Sequence, residues 1–118
     1  MKKFLVLYMI PSSVIEQWKR TSPESKKAAE DKMSHDIQAW TKGRAAIFVD
    51  PGAGLGKSRR LTSSGALHAR NDLAMYAIVQ ADSQDTVAKA FESHPHLQIP
   101  ESSIEVMELL PLPDQPKI

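Results

Sequence analysis

The chain contains no cysteine, which removes disulfides, thiol nucleophiles and thiolate-bound metals at once. No apolar run approaches the roughly 20 residues that a membrane helix needs, so no membrane partner is expected. Aromatic residues are scarce at 6%, and five glycines are too few for a collagen-like chain. Charge of one sign is also missing, because 15 Lys/Arg against 14 Asp/Glu leave a net charge of +1. What remains is an ordinary globular composition, 42% hydrophobic over 118 residues, enough for a single domain and too short for two cores. The opening Met1-Lys2-Lys3 followed by Phe4 to Ile10 has the outline of a short signal peptide. Pro11 and the polar residues after it offer no small-residue cleavage site, so the segment reads as a mature first strand. The expected location is cytoplasmic, although a lack of cysteine alone also fits an exported protein.

The small net charge hides an asymmetry. Residues 1–60 hold 12 Lys/Arg and 6 Asp/Glu (+6), whereas residues 61–118 hold 3 and 8 (−5). Such a split is one mark of a nucleic-acid arm. The basic residues are scattered, however, with no run of five, and an acidic half folded against a basic half would cancel at long range. No nucleic-acid partner is expected.

From Lys3 to Ile10 the chain runs through β-compatible apolar residues until Pro11, the pattern of a strand buried on both faces. Ser13 to Glu16 has capping-box spacing and predicts a short helical turn carrying Val14, Ile15 and Trp18. A stronger helix follows, with Ser22 as N-cap, Pro23 in the first position and Glu24 at the positive end of the dipole. Its stripe of Ala29, Met33, Ile37 and Trp40 reads as core, and Gly43 ends it. Arg44 to Val49 predicts a second strand closed by Asp50-Pro51-Gly52, with a glycine-rich basic loop to Arg60 and a short extended arm turning at Ser63-Ser64-Gly65. Ala74 to Ala81 is a third strand, apolar on both faces. Asp82 or Ser83 caps a second helix with Val87, Ala90, Phe91 and His94 on one face, ended by Pro95. Ser103 to Leu110 is the last strand. Residues 1–110 thus form one domain and residues 111–118, with three prolines, a tail.

Strand, helix, strand, strand, helix, strand is the split βαβ, ferredoxin-like α+β plan. Two helices can cover only one face of a four-stranded sheet, yet the first and third strands are apolar on both. A single copy would leave several hundred Å² of apolar surface in water, on the order of what monomers rarely tolerate. The economical solution is the same face of a second copy, and a homodimer is expected.

Few residues carry an obvious chemistry. Gly52 to Lys57 invites comparison with a phosphate loop, but the Walker pattern needs glycine where Pro51 stands, and Arg59-Arg60-Leu61-Thr62 does not open a helix. The segment is either a hairpin loop or one whose Lys57, Arg59 and Arg60 grip an anion. His94-Pro95-His96 reads as a helix-end cap favouring imidazolium, as a pocket acid–base group, or as part of a metal site that would need a third ligand such as His35, His68 or Asp50. His35-Asp36 falls on the solvated side of the long helix, and Asp50 is either a turn residue or a site residue. The RNA-recognition sheet, which shares the element order, needs a Lys/Arg-Gly-aromatic strand, and Leu73-Ala74-Met75-Tyr76-Ala77-Ile78 lacks it.

The opening strand Lys3-Phe-Leu-Val-Leu-Tyr8, the helix ending in Gly43, the strand running into Ala81-Asp82-Ser83, the helix closing on His94-Pro95-His96-Leu97 and the strand Ile104-Glu105-Val106 resemble a YCII-related protein over residues 2–112. The Asp-Gly-Pro-Phe segment of one branch is absent, and Ser64-Gly65-Ala66-Leu67 occupies its place. The resemblance implies a dimeric α+β barrel with a cleft in or beside it, and a His–Asp pair for which His35 or His94 with Asp50 or Asp36 are the available residues. On this reading the protein binds a small anionic organic ligand. His94 would act as general acid/base with Asp50 beside it, Lys57 and Arg59 would orient the ligand, and His96 and His35 would face it. No metal or cofactor is expected. The alternative is a non-catalytic accessory or protein-interaction domain.

Overall fold

The computed structural model describes residues 1–113. Of the expected tail 111–118, residues 114–118 lie outside the described residues. Strand β1 (Lys2–Met9) lies centrally in a four-stranded antiparallel sheet of order β2-β5-β1-β6, formed with β2 (Phe48–Gly54), β5 (Leu73–Ala81) and β6 (Ser103–Glu108). Helices α1 (Ser12–Lys19), α2 (Pro23–Thr41) and α3 (Gln84–Phe91) complete an α+β chain compatible with a ferredoxin-like plan. Among the described residues no helix is long and apolar enough to cross a membrane.

Alternation along the strands sets the core. Phe4, Val6 and Tyr8 of β1 and Ala77, Val79 and Ala81 of β5 face one side, and Val87 and Phe91 of α3 and Trp40 of α2 close over them. The other side carries Leu5, Leu7, Tyr76, Ile78 and Met107, and each of these stays partly or largely open to solvent. Only one face of this sheet is sealed.

Several local expectations change in the fold. Helix α1 starts at Ser12 with Pro11 in the cap position and no side-chain cap, so the Ser13–Glu16 box is not used. Ser22 does cap α2, its hydroxyl accepting from the Ser25 N–H at 3.2 Å. The α2 stripe is not core, however, because only Trp40 is buried, anchored by its indole N–H donating to the Ala90 carbonyl at 3.2 Å. Ala29 and Met33 line an apolar cleft of about 530 Å³ with Ile10, Ile15, Trp18 and Ile99. Arg44 to Ile47 does not begin the second strand, since Ala45–Ile47 forms a 3-10 turn and β2 starts at Phe48. Asp50-Pro51-Gly52 does not close that strand either. It forms irregularities inside it, where Gly52 takes φ +81° and lies against the Tyr76 carbonyl.

The expected glycine-rich loop is shorter than its sequence suggests. Beyond Gly54 only Leu55–Lys57 is irregular, and β3 (Ser58–Thr62) and β4 (Gly65–Ala69) then pair as a separate two-stranded arm turning at Ser63-Ser64. The arm helps raise the radius of gyration to 16.6 Å, against roughly 13–14 Å for a compact chain of this length.

Candidate functional site

His94 does not sit in the last turn of α3. It follows the helix, takes an extended conformation (φ −65°, ψ 134°) and caps the 3-10 turn Pro95–Gln98, its Nδ1 accepting the His96 N–H at 2.9 Å. The ring stacks on Phe91 at 5.7 Å between centroids and meets Trp40 at 4.5 Å and Tyr8 at 5.1 Å. It is 4% exposed, and burial followed by the neighbouring His96 drives its pKa down from 6.5 to about 4. The imidazolium expected at a helix end is therefore replaced by a neutral acceptor. His96 is buried as well, and its Nε2–H donates to the Met9 carbonyl at 3.0 Å. Desolvation lowers its pKa, against the opposing pull of the Met9 and Ser103 carbonyls. Both rings serve the packing of the turn on β1.

Asp50 does not meet His94. Its carboxylate accepts the Gly52 N–H at 2.8 Å and the Tyr76 phenol at 3.3 Å. Tyr76 pairs across the strands with Leu7, and Tyr8, which touches His94, is its neighbour on the opposite face. Pleating therefore puts the expected acid–base pair on opposite sides of the sheet. The Asp50–Tyr76 pair was not evident from the sequence, because 26 residues separate its members. The Asp50 charge and its hydrogen bond hold the Tyr76 phenol above its ordinary pKa.

No protein-family model matches this chain, and no curated protein matches it.

A groove of about 790 Å³ with a charged lining lies between α1 and the base of the β3–β4 arm, at the end of the sheet where β1 stops. Lys19, Lys57, Arg70 and His68 stand around it with Glu16 and Asn71. Glu16 is shared by Lys19 at 3.9 Å and Arg70 at 3.5 Å, and Lys57 makes no ion pair among the described residues. Two lysines and an arginine thus face one carboxylate. Of the expected ligand-binding residues, only Lys57 reaches this groove. Arg59 lies on the arm opposite His68 and is not one of the groove's walls. His35 is exposed on α2 beside Asp36, whose carboxylate is engaged by Lys32 at 2.7 Å and held below its ordinary pKa chiefly by that hydrogen bond. Lys19 and Arg70 were missed, and His68 was considered only as a possible metal ligand. The available signal was the stretch from Pro51 to Asn71, which has four Lys/Arg and no carboxylate. Among the described residues, no group of three or more His, Cys, Asp or Glu could hold a metal ion.

Proposed function

We propose that this chain is a YCII-related protein that works as a homodimer through its open sheet face and binds a small organic anion in the groove between α1 and the arm. The observation that carries the ligand reading is the basic lining of that groove, where Lys57 stands without a counter-charge and Arg70 and Lys19 divide a single carboxylate. Arg70 offers a planar fork suited to carboxylate or phosphate, Lys57 a mobile point charge, and Asn71 and Ser58 neutral hydrogen-bonding groups. The groove is open, which suits a small ligand held by charge more than by enclosure. The half-open Leu5, Leu7 and Ile78 support pairing of the sheet face, since a second copy would complete their burial.

Any acid–base chemistry belongs to Asp50 and Tyr76. Their hydrogen bond lies on the sheet face that pairing would enclose, whereas His94 is walled in by Tyr8, Trp40 and Phe91. Titrating the isotope-labelled protein with inorganic phosphate and with succinate tests the ligand site. Backbone amide resonances of Lys57, His68 and Arg70 should shift, and Lys57→Gln combined with Arg70→Gln should weaken both anions by about tenfold or more. Shifts that survive unchanged in the double variant, or that fall elsewhere, refute the groove as the site.

A further inference from the structure

The charge asymmetry of this chain is sorted by element. From Pro51 to Asn71 there are four Lys/Arg and no carboxylate, and from Asp82 to Glu108 there are six carboxylates against Lys89 alone. The first stretch forms the end of β2 and the arm. The second forms α3 and β6. Strand order β2-β5-β1-β6 sets β2, which leads into the arm, and β6 at opposite edges of the sheet.

The arm itself is unfinished as a structure. A two-stranded hairpin is marginally stable alone in water, and this one forms a sheet of its own, tied to the body at its base where Arg70 meets Glu16. The β3–β4 register places Arg59 with Leu61 on one face and Arg60 with Leu67 on the other. Leu61 is 81% exposed and Leu67 56%. Each face therefore presents one guanidinium beside one bare leucine. On β6, Glu105 and Met107 present the complementary pair, a carboxylate beside a methionine that is 42% exposed, on the open side of the sheet.

We infer that the β3–β4 arm is an intersubunit clasp, docking its arginines and leucines on the acidic β6 edge of a second copy of this chain. The inference rests on the sheet-face pairing proposed above. Two sheets laid face to face about a two-fold axis along the strands bring the β2 edge of each over the β6 edge of the other, so each copy gives one arm and receives one. Sedimentation equilibrium of the full chain tests it. Arg59→Glu with Arg60→Glu should weaken the dimer by about tenfold or more, and adding Glu105→Arg, on the open face of β6, should recover about threefold or more of that loss. A variant with both arginines replaced that dimerises like the wild type overturns the clasp and leaves sheet-face pairing standing, as does a failure of Glu105→Arg to rescue. A wild-type chain that is monomeric at tens of micromolar, on the order of ordinary dimer affinities, removes both. Hydrogen exchange in the wild type decides independently of how the variants fold. Amides of Arg59–Leu67 should be protected in the dimer and lose that protection on dilution, and arm amides that exchange at one rate in both states overturn the clasp.

Discussion

Protonating His94 would place a cation among the rings of Tyr8, Trp40 and Phe91, with its Nδ1 already committed to the His96 N–H. The unfolded chain takes up that proton near pH 6.5, whereas the fold refuses it until about pH 4. More protons bound in the unfolded state means stability that is complete above about pH 6.5 and lost as pH falls toward 4. The whole gap corresponds to roughly 3 kcal/mol at most, of which about 2 should be gone at about pH 5. His96, displaced in the same direction, adds to the slope. Denaturant unfolding at about pH 7.5 and 5 should show this fall, and His94→Asn, which keeps a capping acceptor but does not titrate, should flatten it by about half or more. An undiminished slope in that variant would assign the acid sensitivity elsewhere. The residue types His-Pro-His were plain in the sequence. Their charge state was not, because it depends on three rings brought in from β1, α2 and α3.

Among the elements, β2 departs furthest from its sequence pattern. Asp-Pro-Gly is an ordinary turn signal, and as a local signal it points to a chain reversal. Here pairing with β5 overrides it, and the strand absorbs the three residues as irregularities while continuing to Gly54. Gly52 makes this possible, because a Cβ there would collide with the Tyr76 carbonyl. Gly52→Ala should cost about 3 kcal/mol or more and expose β2 amides to exchange. Gly43→Ala has a similar backbone (φ +85°) but open space around it, so it should cost only about 1 kcal/mol. Equal losses at the two positions would mean that conformation alone matters and that the close approach to β5 does not. Helix α2 departs in another way. Its cap and proline start were legible because they act within one turn, but its apolar stripe gave no sign that only Trp40 would reach the core.

For the whole molecule, the proposed pairing of the open sheet face predicts how a charge placed there should act. Leu7→Glu places a carboxylate on that face beside Tyr76, its partner in the β1–β5 register. Burying an unpaired charge between two sheets costs several kcal/mol, so this variant should sediment as a single copy while keeping the far-ultraviolet signature of the wild type. A dimeric Leu7→Glu variant would show that pairing uses another surface.

Features that depend on neighbours along the chain were legible from residue order. Strand and helix order, the Ser22 cap, a cap at Asp82 or Ser83, a turn within Ser63-Ser64-Gly65 and the two-sided apolar character of β1 and β5 all follow from local spacing. Tertiary structure alone decided what depends on residues far apart. It set His94 and Asp50 on opposite faces, joined Asp50 to Tyr76, and gathered Lys19, Lys57 and Arg70 around one groove. The physical reason is the pleat and the strand order. A pleat sends adjacent residues to opposite faces, and the order of strands determines which distant charges share an edge.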